Sequence, residues 1–201
     1  MENILYLASS SESRKNLLQK ARIPFAIIEQ NADESLCDWN MPLQQLVESI
    51  AQYKMEHVIM PPAIEDAIAF VLTADTLSID TTGKIRGKPK DMADAIAMLK
   101  AACGPNNICG TAFCLDKKIY QNGKWHTRQR IIGYAQARYE FEIPHEYAAN
   151  YITDVSALKA AGAIKIEDGA QFVKAIHGSY SAIVGLPMFE LRCALTEIGF
   201  Y

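Results

Sequence analysis

The stretch Ala67-Ile-Ala-Phe-Val-Leu-Thr-Ala-Asp75-Thr76 constrains the fold of this chain more than any other. Positions 67 to 73 carry no charge and lack the alternation of a half-exposed strand, so they read as a strand covered on both faces near the centre of a sheet. A carboxylate ends the run. In open α/β sheets ligands gather at the carboxyl ends of strands, which puts Asp75 at the mouth of a cleft. An Asx-type turn that merely caps the strand end accounts for the same Asp-Thr pair.

Half of the 201 residues are hydrophobic, enough for a sizeable core in one domain or one domain with two lobes. No repeat, linker or low-complexity tract marks a second domain. Twenty Lys plus Arg against 23 Asp plus Glu leave a net charge of −3, so no global basic field points to nucleic acid or an anionic membrane surface. The start, Met1-Glu-Asn-Ile-Leu-Tyr-Leu, has an acid where a signal peptide needs positive charge, and no apolar run reaches the roughly 18 residues of a membrane span. A cytoplasmic protein is expected. The five cysteines contain no Cys-x-x-Cys couple and read mostly as reduced core thiols, and the four histidines lack zinc-site spacing.

Ile4 to Ala8 reads as a short buried strand, and Ser9-Ser-Ser-Glu12 fits the capping box that opens a helix to about Arg22. Free N–H groups and the helix dipole make such a junction a ready phosphate site, with Ser10, Ser11, Arg14 and Lys15 as further donors. Glu12 argues for a plain cap instead. From Pro42 to Ile59 the apolar residues Leu43, Leu46, Val47, Ile50, Ala51 and Val58 define a helical stripe. At about 100° per residue Lys54 falls on that stripe. An inward ammonium needs a partner, such as a bound phosphate chain, unless it snorkels out from the helix end.

After Thr76 a hairpin turns at Thr82-Gly83, and Arg86-Gly-Lys88-Pro-Lys90 then sets three cations beside the strand-end carboxylate. A helix patterned by Met92, Ala95, Ile96 and Leu99 follows. Asn107 to Asp116 and Lys118 to Gln121 read as paired strands. Ala135, Ala137, Tyr139, Phe141 and Ile143 alternate with polar residues, as in a half-exposed antiparallel strand, and Pro144 opens a helix.

Four segments, in order, resemble signatures of the Maf family of nucleoside triphosphate pyrophosphatases: Leu7-Ala-Ser-Ser-Ser-Glu-Ser-Arg14-Lys15-Asn-Leu-Leu18, Ala74-Asp-Thr76 with Gly87-Lys-Pro89, Lys159-Ala-Ala-Gly162-Ala-Ile-Lys165-Ile-Glu167, and Gly178-Ser-Tyr-Ser-Ala-Ile-Val-Gly185-Leu-Pro187. Glu12 and Ser13 depart from the first, which usually has proline and, in members acting on dTTP and UTP, arginine there. The resemblance implies a single 1–201 domain with an elongated mixed sheet flanked by helices, two lobes and a central cleft, similar to inosine triphosphatase. It implies hydrolysis of a nucleoside triphosphate to monophosphate and pyrophosphate with Mg²⁺ or Mn²⁺, in a cytoplasmic homodimer. The alternative is a nucleotide-binding regulatory protein with weak or no catalysis, for instance in cell division.

By the same resemblance, Ser10, Ser11, Arg14, Lys54, Lys88 and Lys165 bind the nucleotide. Asp75 and Glu34 ligate the metal or take up a proton from the attacking water. Ser13, Thr76 and Glu167 set specificity. Thr76 matches the dTTP/UTP pattern, whereas Lys165, Glu167 and Gly87 match members acting on methylated guanine nucleotides, so guanine-type nucleotides are expected over dTTP.

Overall fold

The structure is a computed structural model that describes residues 3–201. Glu2, on which the expectation about the start of the chain falls, lies outside the described residues. Seven strands form one mixed sheet in the order β2-β1-β3-β5-β6-β7, with β4 added to β3. They are β1 (Leu5–Leu7), β2 (Phe25–Ile27), β3 (Ile68–Ile79), β4 (Ile85–Arg86), β5 (Gly104–Gln121), β6 (Lys124–Phe141) and β7 (Val173–Gly178). The helices are α1 (Glu12–Lys20), α2 (Leu43–Glu56), α3 (Met92–Ala102), α4 (Ala148–Asp154), α5 (Tyr180–Val184) and α6 (Met188–Glu197). Among the described residues no helix is long and apolar enough to cross a membrane.

The chain divides into two compact units. The first comprises the chain up to Asp75, Ala112–Tyr134 and Gly185–Tyr201. Here β1 pairs in parallel with both β2 and β3, and Leu5, Leu7, Phe70, Leu72, Phe113 and Leu115 pack with Leu18 of α1, with Leu191 and Leu195 of α6 and with Ile198 just after it. Strand alternation sends Thr73 to the other face, where its hydroxyl donates to the Ala51 carbonyl of α2 at 2.7 Å. The second unit comprises Thr76–Thr111 and Ala135–Val184. Its core joins Ala95, Met98 and Leu99 of α3 to Tyr139 and Phe141 of β6 and to Tyr151 and Ile152 of α4.

Several expectations hold in detail. The Thr82-Gly83 hairpin forms, with Ser78 opposite Arg86 and Gly83 in the left-handed region. Ala137, Tyr139, Phe141 and Ile143 are buried, and Pro187 precedes α6. Others are corrected. The cap of α1 is Ser11, whose side chain accepts from the Arg14 N–H, so Glu12 stands in the first turn and pairs with Lys15 at 2.6 Å instead of closing a box with Ser9. Asp75 neither ends its strand nor caps a turn: β1 stops opposite Leu72, while β3 runs on to Ile79. Of the five cysteines, all free, only Cys109 and Cys114 are buried.

The expected break at Lys117 is absent, because β5 runs unbroken and the hairpin turns at Asn122-Gly123, both at positive φ as a two-residue turn requires. The charge of Asp116 is neutralised by Lys118 on its own strand and by Arg130 on the neighbouring one. Buried Asp116 accepts two hydrogen bonds from Arg130, at 2.7 and 2.8 Å, and pairs with Lys118 at 2.8 Å. Burial pushes the Asp116 pKa up, but the hydrogen bonds from Arg130 and Lys118 outweigh it and hold the carboxyl below its usual range.

A carboxyl with a depressed folded pKa contributes stability that is present above its unfolded pKa of about 3.9 and is lost as pH falls through the folded value. Asp116→Asn should therefore destabilise the protein by about 3–5 kcal/mol at neutral pH, the cost of breaking a buried pair, and should flatten the loss of stability below about pH 4. Urea unfolding of both proteins across the acid range measures this.

Candidate active site

The first unit holds a buried ion cluster assembled from four elements. On α2 the stripe Leu43, Leu46, Val47, Ile50, Ala51, Lys54 and Met55 is buried, so the inward direction expected for Lys54 is observed, with 7% of the residue exposed. Its partners are carboxylates. Lys54 Nζ lies 2.6 Å from Asp75 Oδ1 and 2.9 Å from Glu34 Oε1, the latter on a 3-10 turn capped by Asp33. Asp75 is 5% exposed, and its second oxygen, Oδ2, is buried without a hydrogen-bond partner.

Arg14, on the first turn of α1, completes the cluster. Its Nε donates to the Gly185 carbonyl at 2.7 Å and its NH1 to Ser9 Oγ at 3.1 Å, which fixes the guanidinium. Burial lowers its pKa, opposed by the fields of Asp75 and Glu34. Asp75 is pushed the other way. Burial raises its pKa, Lys54 pulls it down by charge and by hydrogen bond, Glu34 raises it and Arg14 lowers it. The result is a carboxyl held above its usual range, with one oxygen on an ammonium and the other open.

Ser10 is exposed beside this cluster in sequence, and Ser11 and Ser13 are half-buried on the same turn. Thus Ser11, Arg14, Glu34, Lys54 and Asp75 come from separate elements of one unit. Thr76, Lys88, Lys165 and Glu167 belong to the other. There the Gly162 N–H donates to the Gly87 carbonyl at 2.9 Å, joining the turn that carries Lys88 to the segment that carries Lys165 and Glu167. Lys88 is exposed, and Lys165 is ion-paired with Asp168. Glu167 lines a cavity of about 280 Å³ together with Ile166, Val173, Ile176 and Tyr180. Arg86 departs from the expected basic turn, because Asp80 holds its Nε at 2.7 Å.

Sequence reasoning missed Ser9 and Gly185 as the anchors of Arg14. Gly185 lies 171 positions away, and its contribution is a main-chain carbonyl, for which side-chain identity gives no signal. Thr111 was missed too. Its hydroxyl lies 2.8 Å from that of Thr76, inside a run that reads only as strand. No group of three or more His, Cys, Asp or Glu among the described residues is placed to hold a metal ion. The two carboxylates of the cluster nonetheless supply hard oxygens, one of them the open Asp75 Oδ2, which suits a divalent cation that takes its remaining ligands from phosphate and water.

A family model described as Maf-like protein matches residues 4–198. The chain belongs to the Maf-like protein family. It is 34% identical to a dTTP/UTP pyrophosphatase of Ruminiclostridium cellulolyticum, over 99% of this chain and 97% of the relative. A second dTTP/UTP pyrophosphatase, from Geotalea uraniireducens, is 34% identical over 97% of this chain and 95% of its own length. A nucleoside triphosphate pyrophosphatase of Prochlorococcus marinus is 29% identical over 98% of both. The Maf-like match runs through both units without a break.

Lys54 is the larger of the two influences that hold the Asp75 pKa down, Arg14 being the other. Lys54→Met keeps a long side chain on a good helix former but lets that pKa climb further. An acid whose folded pKa exceeds its unfolded value binds more protons folded than unfolded, so stability falls as pH rises between the two. Thermal melts from about pH 4 to about pH 8 should show a steeper fall for Lys54→Met than for wild type, and no such slope for Lys54→Met with Asp75→Asn.

Proposed function

We propose that this protein is a nucleoside triphosphate pyrophosphatase, acting as one 1–201 domain on the bond between the α- and β-phosphates. The observation that carries the reading is the buried Lys54 shared by Asp75 and Glu34 with Asp75 Oδ2 left open. Membership of the Maf-like family and the pyrophosphatase names of its relatives support it. A cytoplasmic location and a homodimeric state rest on that membership alone.

A triphosphate brings about four negative charges, which demands cations and N–H donors. Ser10, Ser11 and the N-terminus of α1 offer hydroxyls and backbone N–H groups, and Arg14 offers a fixed guanidinium. Asp75 and Glu34 would hold Mg²⁺ or Mn²⁺, which when bound supplies charge neutralisation and polarises the phosphoryl oxygens. Asp75 takes up the proton. Water attacks the α-phosphorus, its proton passes to Asp75 Oδ2, and the bond to the β-phosphate breaks to release pyrophosphate. Burial helps, since a carboxyl with a raised pKa is a better base near neutral pH. Lys54 holds Oδ1 and so keeps Oδ2 in one orientation.

Asp75→Asn keeps the shape of the side chain and removes both the proton acceptor and the hard ligand. Pyrophosphate release over a nucleotide panel, with and without Mg²⁺, should show metal-dependent turnover in wild type and a loss of about 10²–10⁴-fold in the variant. Wild-type turnover by a folded Asp75→Asn protein overturns the mechanism, and absence of release from any nucleotide overturns the activity.

A further inference from the structure

Strand alternation gives β3 two faces in the first unit. Phe70, Leu72 and Ala74 join the core that holds Leu18 and Leu191, and Ala69, Val71, Thr73 and Asp75 take the opposite face. Thr73 is fully buried there, and its hydroxyl donates to the Ala51 carbonyl of α2 at 2.7 Å. Packing does not demand a hydroxyl at this position, because Val71, its neighbour on the same face, is equally buried and apolar. The helix does not demand one either. By the α-helical pattern the Ala51 carbonyl already accepts the N–H of Met55, so the bond from Thr73 is additional to its needs.

The placement of that bond shows what it does. Ala51 and Lys54 lie about 300° apart around α2, nearly a full turn, and both belong to its buried stripe. Thr73 and Asp75 lie on one face of β3, roughly 6.6 Å apart along the strand. The same two elements are thus tied twice, by Thr73 to Ala51 at 2.7 Å and by Asp75 to Lys54 at 2.6 Å. The ties differ in stiffness. A β-branched threonine turns only about a restricted χ1, and this one ends on a main-chain atom, whereas the flexible four-carbon stem of a lysine follows its helix. β1 stops opposite Leu72, so the stiff tie sits at the first residue beyond that pairing.

We propose that Thr73 is a positioning residue for Asp75: by holding the Ala51 carbonyl it sets where α2 lies along β3, so that Lys54 takes Asp75 Oδ1 and leaves Oδ2 open. This rests on the nucleotide pyrophosphatase reading above, in which Oδ2 receives the proton of the attacking water. All four residues lie within the first unit. A helix released from Thr73 can slide by part of its rise of about 1.5 Å per residue. The ammonium then bridges both oxygens of Asp75 or turns to Glu34, which it already meets at 2.9 Å, and the reacting oxygen loses its fixed direction.

The test removes the hydroxyl and keeps the shape. Thr73→Val places an apolar side chain on a face that already accommodates Val71, so it should fold, and Thr73→Ser keeps the hydroxyl. In a proton–nitrogen correlation spectrum of the lysine ammonium groups, one held by hydrogen bonds away from water exchanges slowly enough to be seen, and the Lys54 signal is assigned by its loss in Lys54→Met. That signal should be present in wild type and Thr73→Ser and lost in Thr73→Val. Pyrophosphate release from GTP, UTP and dTTP with Mg²⁺ should show kcat of Thr73→Val lower by about 10- to 100-fold for each nucleotide that wild type cleaves, the scale of a misplaced reacting group, with KM within about twofold and kcat restored in Thr73→Ser. A merely structural role would lower the melting temperature without separating kcat from KM.

An unchanged Lys54 signal or an unchanged kcat in folded Thr73→Val overturns the proposal, as does a change in KM alone, a loss that Thr73→Ser shares, or the absence of a Lys54 signal from wild type. If Thr73→Val does not fold, Thr73→Ala takes its place, and failure of both to fold makes the hydroxyl a structural group and overturns the proposal too. A Lys54 signal that depends on Thr73, in a protein that releases no pyrophosphate from any nucleotide, overturns the hydrolytic reading alone and upholds the placement of Lys54.

Discussion

Taking an ammonium and a carboxylate out of water costs several kcal/mol for each ion, and the pair is tolerable only where geometry keeps the charges in contact. Lys54 and Asp75 meet that condition through two periodicities. The helical stripe of α2 turns Lys54 inward, and the alternation of β3 brings Asp75 to the same side as Thr73, whose hydroxyl is bonded to α2. Glu34 and Arg14 then add one charge of each sign. The cluster remains asymmetric, with Asp75 Oδ1 committed and Oδ2 open, and a reacting site needs that asymmetry whereas a purely structural ion pair does not.

The Asp116 network shows the contrast. Its carboxylate is fully buried as well, yet both oxygens are occupied by Arg130, with Lys118 and Thr127 adding to one of them. Nothing is left for a ligand. Asp80 is similar, closed by the Thr82 and Lys84 N–H groups, the Thr82 hydroxyl and Arg86. Three buried aspartates thus differ in what their oxygens still lack, and only Asp75 has an oxygen without a hydrogen-bond partner.

What was legible in the sequence followed local periodicity. Lys54 stood out because a charge fell on an apolar stripe, and Asp75 because it closed an uncharged run. The inward direction of Lys54 is observed, whereas Asp75 lies within its strand and not at its end. What stayed hidden was lateral. The strand reads as broken at Lys117 until Arg130 on the neighbouring strand is known, and Arg86 reads as one of three cations beside Asp75 until Asp80 claims it. The contact between the Thr76 and Thr111 hydroxyls was beyond reach for the same reason, since it joins residues 35 positions apart, and Thr111 also reaches a carbonyl 71 positions further along. The pair of carboxylates on a shared lysine is only half-legible because Glu34 sits on a loop where acids are ordinarily solvated.

The order in which the first unit's pieces occur along the chain bears on how the protein is made. Leu5, Leu7 and Leu18 lie near one end of the sequence, while Leu191, Leu195, Ile198 and Phe200, which complete the same core, lie at the other. At a synthesis rate of about 5–20 residues per second, roughly ten to forty seconds separate the first of these side chains from the last. Throughout that interval the early strands carry an apolar face that α6 has yet to cover. The core of this unit can therefore close only after α6 has been made, so its first-made strands are the last to be sealed from water.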